Sequence, residues 1–219
     1  MNVIVFGATG MVGQGVLRES LLDPDVEKVL IVVRQPTGRQ HAKLRELVHR
    51  DFLDFSSVEH DLRGYDACFY CLGIASAGLG EAEYTRVTHD FTIAAATTLA
   101  TVNPGMTFVF VSGAGTHRDS RVMWSRVKAR TEDDLERLSL ASFVFRPNLI
   151  QPMHGAKSRT TLYRIFYTAF RPVMPMLVRA LPRSVTTTER IGRAMLNIAK
   201  RGFSKRILDP ADINAAATS

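Results

Sequence analysis

The stretch FGATGMVGQG at residues 6–15 restricts what this chain can fold into more than any other. It joins the apolar run VIVF at 3–6 to a helix-patterned segment through Val16, Leu17 and Leu21, with Gly7, Gly10, Gly13 and Gly15 between them. A strand that runs into glycines and then a helix turns backbone N–H groups and the positive end of the helix dipole toward one point. A pyrophosphate is stabilised there. The spacing is G-x-x-G-x-x-G rather than the commoner G-x-G-x-x-G, yet it stands in the strand-to-helix setting that the dinucleotide fingerprint needs. A tight turn with no ligand would use some of the same glycines. The units that follow favour the dinucleotide.

Further apolar, β-branched runs at 29–33, 47–52, 65–72, 107–111 and 142–145 alternate with helical patterns. That alternation predicts an α/β fold, a doubly wound parallel sheet covered by helices on both faces. Ser56 and Glu59 have the capping-box spacing for a crossover helix over 56–63. Tyr84, Val87, Phe91, Ala94, Thr98 and Val102 mark one face of a second, over 81–101, which Pro104 and Gly105 end. After Pro147 the rhythm fails, so residues 151–219 are expected to form a small C-terminal lobe plus a closing helix, in one domain with the 1–150 core. Thr186 with Glu189 caps that helix in this reading.

Net charge is +7, with many of the arginines late in the chain, and such an excess favours anionic partners. Without a zinc-finger or helix-turn-helix pattern, nucleotide phosphates are expected rather than nucleic acid. The two cysteines, Cys68 and Cys71, lie three apart on a predicted strand and so face opposite sides of the sheet. They offer no metal site and no disulfide framework, which suits a reducing interior. With the N-terminus starting inside a strand and no signal-peptide pattern, the expected location is cytoplasmic. The apolar, arginine-rich span at 161–183 is interrupted by Pro172, Pro175 and Pro182, so weak peripheral membrane contact is the most it supports. Otherwise it packs as a substrate lid.

FGATGMVGQGV, RDF at 50–52, YCLG at 70–73, VSGAG at 111–115, Lys128 and FRPN at 145–148 together resemble the atypical short-chain dehydrogenase/reductases. Within them the chain is similar to the epimerase/dehydratase-like branch near the Tat-interacting oxidoreductase-like proteins. The resemblance covers residues 1–150 well and implies a Rossmann sheet with substrate held by the C-terminal segments. It assigns cofactor binding to Gly7, Thr9, Gly10, Met11, Val12 and Gly13 in the loop and first helical turn. Asp51 and Phe52, ending the third strand, would meet the adenine, and Cys71, Leu72 and Gly73 would approach the ribose. Lys128, Pro147 and Ile150 complete the cofactor-binding set.

An NAD enzyme usually carries an acidic residue after the second strand, whereas an arginine there can pair with a 2′-phosphate. Here that residue is Arg34, followed by Arg39 and Lys43, so NADP is expected over NAD. By the same resemblance the catalytic positions are Ser112, Trp124 and Lys128. Serine would orient a carbonyl, a tyrosine would give the proton, and lysine would lower that tyrosine's pKa while holding the ribose. The residue four before Lys128 is Trp124, whose indole N–H donates a hydrogen bond but does not ionise usefully. Two readings follow: an NADP-dependent enzyme acting on a small organic substrate, or an NADP-sensing binding module with little turnover. Other candidate proton donors are His117, Asp119, Tyr84, Tyr163 and Tyr167.

Overall fold

Residues 3–6 and 29–33 are buried along their whole length, which only strands covered on both faces allow. The computed structural model describes residues 1–156 and 184–218. Its main sheet has seven strands: β1 (Asn2–Phe6), β2 (Lys28–Val33), β3 (Leu44–Val48), β4 (Ala67–Tyr70), β5 (Thr107–Val111), β6 (Ala141–Phe145) and β9 (Ile207–Leu208). Their order is β3-β2-β1-β4-β5-β6-β9, and every neighbouring pair is parallel. The chain winds outward from β1 to β3, returns to β4 beside β1, and winds outward again. The reversal opens a crevice at the C-terminal ends of β1 and β4. A short parallel pair, β7 (Leu149–Gln151) and β8 (Val185–Thr187), stands apart.

Alternation along the strands divides the core in two. Val3, Val5, Ile31 and Phe69 face one way and pack with Val16 and Leu17 of α1 (Met11–Leu22) and with Ile191, Met195 and Ile198 of α5 (Thr188–Arg201). Ile4, Phe6, Leu30 and Tyr70 face the other way, against Ala95 and Leu99 of α3 (Phe91–Val102) and the rings of Phe52 and Phe55. Each fully buried aliphatic or aromatic side chain contributes about 1.5–3 kcal/mol relative to exposure. Cys68 belongs to the second cluster and Cys71 packs against the first, both free thiols, and burial pushes both thiol pKa values up.

The second crossover runs as α2 (Glu81–Thr85), a π-turn (Arg86–Asp90) and α3 without interruption. Next come α4 (Met123–Glu136) between β5 and β6, and α6 (Pro210–Ala216) after β9. Helix α5 lies so close to α1 that a Cβ at Gly15 would sit 2.6 Å from the Thr188 Cβ. Helices α5 and α6 therefore complete the first core cluster. The remainder of the expected lobe, with Tyr163, Tyr167 and the prolines at 172, 175 and 182, lies outside the described residues. Among the described residues no helix is long and apolar enough to cross a membrane.

Three local expectations are corrected. β3 ends at Val48, not residue 52, because the buried His49 ring turns the chain. Its Nε2 lies 2.5 Å from the Asp51 carbonyl oxygen and 2.9 Å from that of Asp54, and its ring lies 4.9 Å from Phe55. The segment Ser56–Leu62 is a 3₁₀ helix capped at Phe55, and the Ser56 hydroxyl donates to the Asp54 carboxylate instead of forming a capping box. The closing helix is capped by Thr187, whose hydroxyl accepts from the Arg190 N–H at 3.0 Å. Thr186 is a strand residue whose hydroxyl donates to the Asn214 side chain.

Candidate functional site

The loop between β1 and α1 is shaped by glycines that serve different ends. Gly7 has φ of 74°, and a Cβ there would lie 2.6 Å from the backbone of Cys71 and Leu72, so β4's exit loop approaches through the missing side chain. A Cβ at Gly13 would fall 2.1 Å from the Gly7 carbonyl oxygen. Gly10 is different. Its φ of −80° and ψ of 166° suit any residue, and a Cβ there would meet only the Gly7 carbonyl oxygen, at 3.3 Å. A side chain at position 10 would therefore need that one carbonyl to give by a few tenths of an ångström, and beyond it lies the open cavity that Gly10 lines. Gly10 also caps α1 without a side-chain hydrogen bond. The first-turn N–H groups of Met11, Val12 and Gly13 have no intrahelical partner, while the Met11 and Val12 side chains pack on the core.

Two adjoining cavities follow this loop. One, of about 560 Å³, is walled by Gly7, Thr9, Val33, Arg34, Arg50 and Phe52. The other, of about 450 Å³, shares Gly7, Thr9, Arg34, Phe52 and Leu72 with it and continues past Gly10, Cys71, Gly73, Ile74, Val87 and Phe91. Together they form one groove of a size and polarity that suit a nucleotide. Phe52 and Phe91, with ring centroids 5.7 Å apart, make its apolar wall. Arg34 and Arg50 are exposed and have no ion pair among the described residues. Two unneutralised cations on one cavity wall attract an anion.

Other nearby groups are occupied. The Lys43 ammonium donates to the Asp23 carbonyl oxygen at 2.7 Å, away from the groove. Asp51 lies past the end of β3, and its carboxylate accepts the Leu53 N–H at 3.0 Å, the turn role open to any aspartate there. Motif reading missed Arg50, which it quoted in RDF but gave no role, although its neighbour Phe52 lines both cavities. The signal was its place beyond β3, next to the strand that Arg34 follows.

At the end of β5 the expected arrangement changes. Ser112 is 4% exposed, its hydroxyl donates to the Glu132 carboxylate and lies 3.2 Å from the Thr116 hydroxyl. Glu132, 2% exposed, is also held by the Arg146 guanidinium, with Nε at 3.1 Å. Ser112 thus points into a closed polar cluster, which corrects its expected role toward a substrate carbonyl. The following residue points the opposite way, and it is Gly113. A Cβ built there would lie 3.4 Å from Lys128 Nζ and 3.9 Å from the Trp124 ring. Lys128 Nζ donates to the Ser112 carbonyl oxygen at 2.7 Å. Burial lowers its pKa to about 8, with Glu132 pulling the other way.

The structure therefore brings Trp124 and Lys128 together over Gly113, with Ser112 joining only through its backbone. Pro147 accepts the Ala114 N–H with its carbonyl at 3.0 Å, next to this loop, and Ile150 is buried in the first core cluster. Neither these two residues nor Lys128 lines the two cavities above. Of the other candidate donors, Tyr84 is buried, while His117 and Asp119 share an exposed turn in which the His117 ring accepts the Asp119 N–H.

A doubly wound parallel sheet with a glycine loop at its switch point, opening on a groove walled by cations, defines a dinucleotide-binding Rossmann protein. Residues 7–147 match the NAD(P)H-binding family, and the chain belongs to that family. It is 26% identical over 153 residues to Protein HTATIP2 of Rattus norvegicus, a match spanning 68% of this chain and 62% of the rat protein. It is 29% identical over 165 residues to the mitochondrial Protein FMP52 of Saccharomyces cerevisiae, spanning 73% and 69% of the two chains. These similarities agree with the resemblance read from the motifs. Among solved structures, the Bordetella bronchiseptica enzyme WbmF in complex with NAD+ superposes with a TM-score of 0.68 at 15% identity, covering 99% of this chain and 77% of WbmF. A UDP-N-acetylglucosamine 4-epimerase from Methanobrevibacter ruminantium M1 gives 0.67 at 16% identity, covering 94% and 74%. The fold is the NAD(P)-binding Rossmann fold that these two structures share.

Proposed function

We propose that the protein binds NADP in preference to NAD and uses it in oxidoreduction, or in related epimerase/dehydratase-type chemistry, on a small organic substrate. The observation that carries this reading is the pair Arg34 and Arg50 on one cavity wall, each without a carboxylate partner among the described residues. A 2′-phosphate would neutralise both. The α1 N-terminus and Gly10 would hold the pyrophosphate, and Phe52 would cover the adenine. When bound, a reduced nicotinamide supplies hydride. Small-molecule substrate rather than nucleic acid, and a cytoplasmic location, belong to the same proposal. The yeast relative is named mitochondrial, so fractionation of tagged protein is the check on location.

Calorimetry with NADPH and NADH tests the cofactor assignment. A charge-assisted hydrogen bond contributes about 1.5–3 kcal/mol, so NADPH should bind roughly tenfold or more tightly. Equal affinities would reject the assignment. A second reading, an NADP-sensing module with little turnover, is favoured by Trp124 and by the missing side chain at Gly113. A panel of quinones and diketones with NADPH separates the two.

A further inference from the structure

The space left by the absent side chain at residue 113 has two neighbours within 4 Å among the described residues, the Trp124 indole and the Lys128 ammonium. An indole N–H does not ionise usefully, so of these two only Lys128 can release a proton. Its ammonium gives one N–H to the Ser112 carbonyl oxygen, which fixes Nζ at the end of β5 and leaves two N–H bonds without a partner among the described residues. We propose that Lys128 itself is the proton donor of this site, and that the substrate is a small carbonyl compound whose oxygen lies over Gly113. The proposal rests on the reading that the protein is an NADP-dependent reductase.

The step balances. As hydride reaches the carbonyl carbon, the π pair moves to oxygen, an Nζ–H bond of Lys128 breaks, its electron pair stays on nitrogen, and the O–H bond forms. The neutral amine then regains a proton from water. Groups around α4 leave this lysine adjustable. Glu132, on the same helix, favours the ammonium but is itself neutralised by Arg146. Arg126 pairs with Glu81 from α2, and Asp134 pairs with His89 from the π-turn. Burial thus governs Lys128 and brings its titration to about 8. An amine titrating near the working pH gives and regains protons readily. Because the donor is the protonated form, reduction should be fastest below that pH and fall as pH rises through it.

The test uses the full chain. Acetic anhydride labelling of Lys128 at graded pH, read by mass spectrometry without cofactor, should show a midpoint near 8, while exposed lysines titrate above 10. NADPH-dependent reduction of the carbonyl panel should lose activity over the same interval. Lys128→Arg keeps a cation and a donor toward Ser112 but does not deprotonate. At saturating NADPH, so that a change in cofactor affinity does not enter, it should lose roughly 10²-fold or more in turnover. Lys128→Met should lose turnover equally. A Lys128 midpoint above 10, retained turnover in either variant, or NADPH binding without turnover on any carbonyl would overturn the proposal. Failure of the unmodified protein to bind NADPH rejects the cofactor reading itself, and the proposal with it.

Discussion

Around the β1–α1 loop, backbone N–H groups and two arginines converge on an open groove, whereas at the end of β5 the polar side chains turn inward upon one another. Ser112, Thr116, Glu132 and Arg146 satisfy each other, and among the described residues only Lys128 and the Trp124 ring flank the space above Gly113. Both regions sit on the same C-terminal edge of one sheet. The contrast teaches that holding a dinucleotide and acting on it are separable: the first needs glycines, a helix N-terminus and cations, while the second needs a group able to move a proton. Among the described residues the first set is gathered around the groove, whereas beside Gly113 the one ionisable side chain is the Lys128 amine.

The largest expected effect comes from the binding end. Gly10→Val should still fold, at a cost of about 1 kcal/mol for the tight contact with the Gly7 carbonyl and the weaker cap, yet lose NADPH affinity by more than about 10²-fold, since its side chain enters the groove where a pyrophosphate would lie. Gly13→Val should do the reverse and destabilise the fold, by about 1–3 kcal/mol or more, because its Cβ meets the Gly7 carbonyl at 2.1 Å. If both variants simply unfold, the loop is a packing device and the contrast between the two regions fails.

Next in size is a gain at the other end. Trp124→Tyr places a phenol beside Lys128 while the space above Gly113 stays open, and carbonyl reduction should rise by roughly 10²-fold with NADPH affinity unaltered. Steady-state rates together with calorimetry read both quantities. An unchanged rate would mean that the space above Gly113 is not where the reaction occurs.

A smaller effect is expected from the cations. Arg34→Asp should remove a preference for NADPH over NADH of about tenfold, and Arg50→Ala part of it, while NADH affinity stays the same. Competition binding measures this, and a loss shared equally by both dinucleotides would assign the arginines to general attraction. Smallest is Thr187→Ala, which removes the cap of α5 and should cost about 1 kcal/mol of stability by chemical denaturation. It should leave both affinity and turnover unchanged, because α5 packs on α1 behind the sheet and lines neither cavity.

Much of this was legible in the chain itself. The apolar runs at 3–6, 29–33 and 107–111 and the glycine pattern gave the strand positions and the parallel, doubly wound sheet, because complete burial of a strand requires both faces to be apolar. The opposite facing of Cys68 and Cys71 followed from the two-residue period of a strand. Arg34 was found from its place after the second strand. Boundaries were less legible: residues 49–52 have strand-like neighbours, but the His49 hydrogen bonds to two carbonyls override that pattern.

Sequence alone determined the class of fold and the presence of a phosphate-accepting loop, since both arise from local periodicity and from residues adjacent in the chain. Tertiary structure decided the rest. It brought Arg50 to the same cavity as Arg34, made Gly10 the glycine whose missing side chain leaves room for a ligand, and turned Ser112 toward Glu132. It also placed Gly113, Trp124 and Lys128 around one space. Each of these depends on which way a side chain points once strands distant in sequence lie side by side, and a linear pattern does not carry that direction.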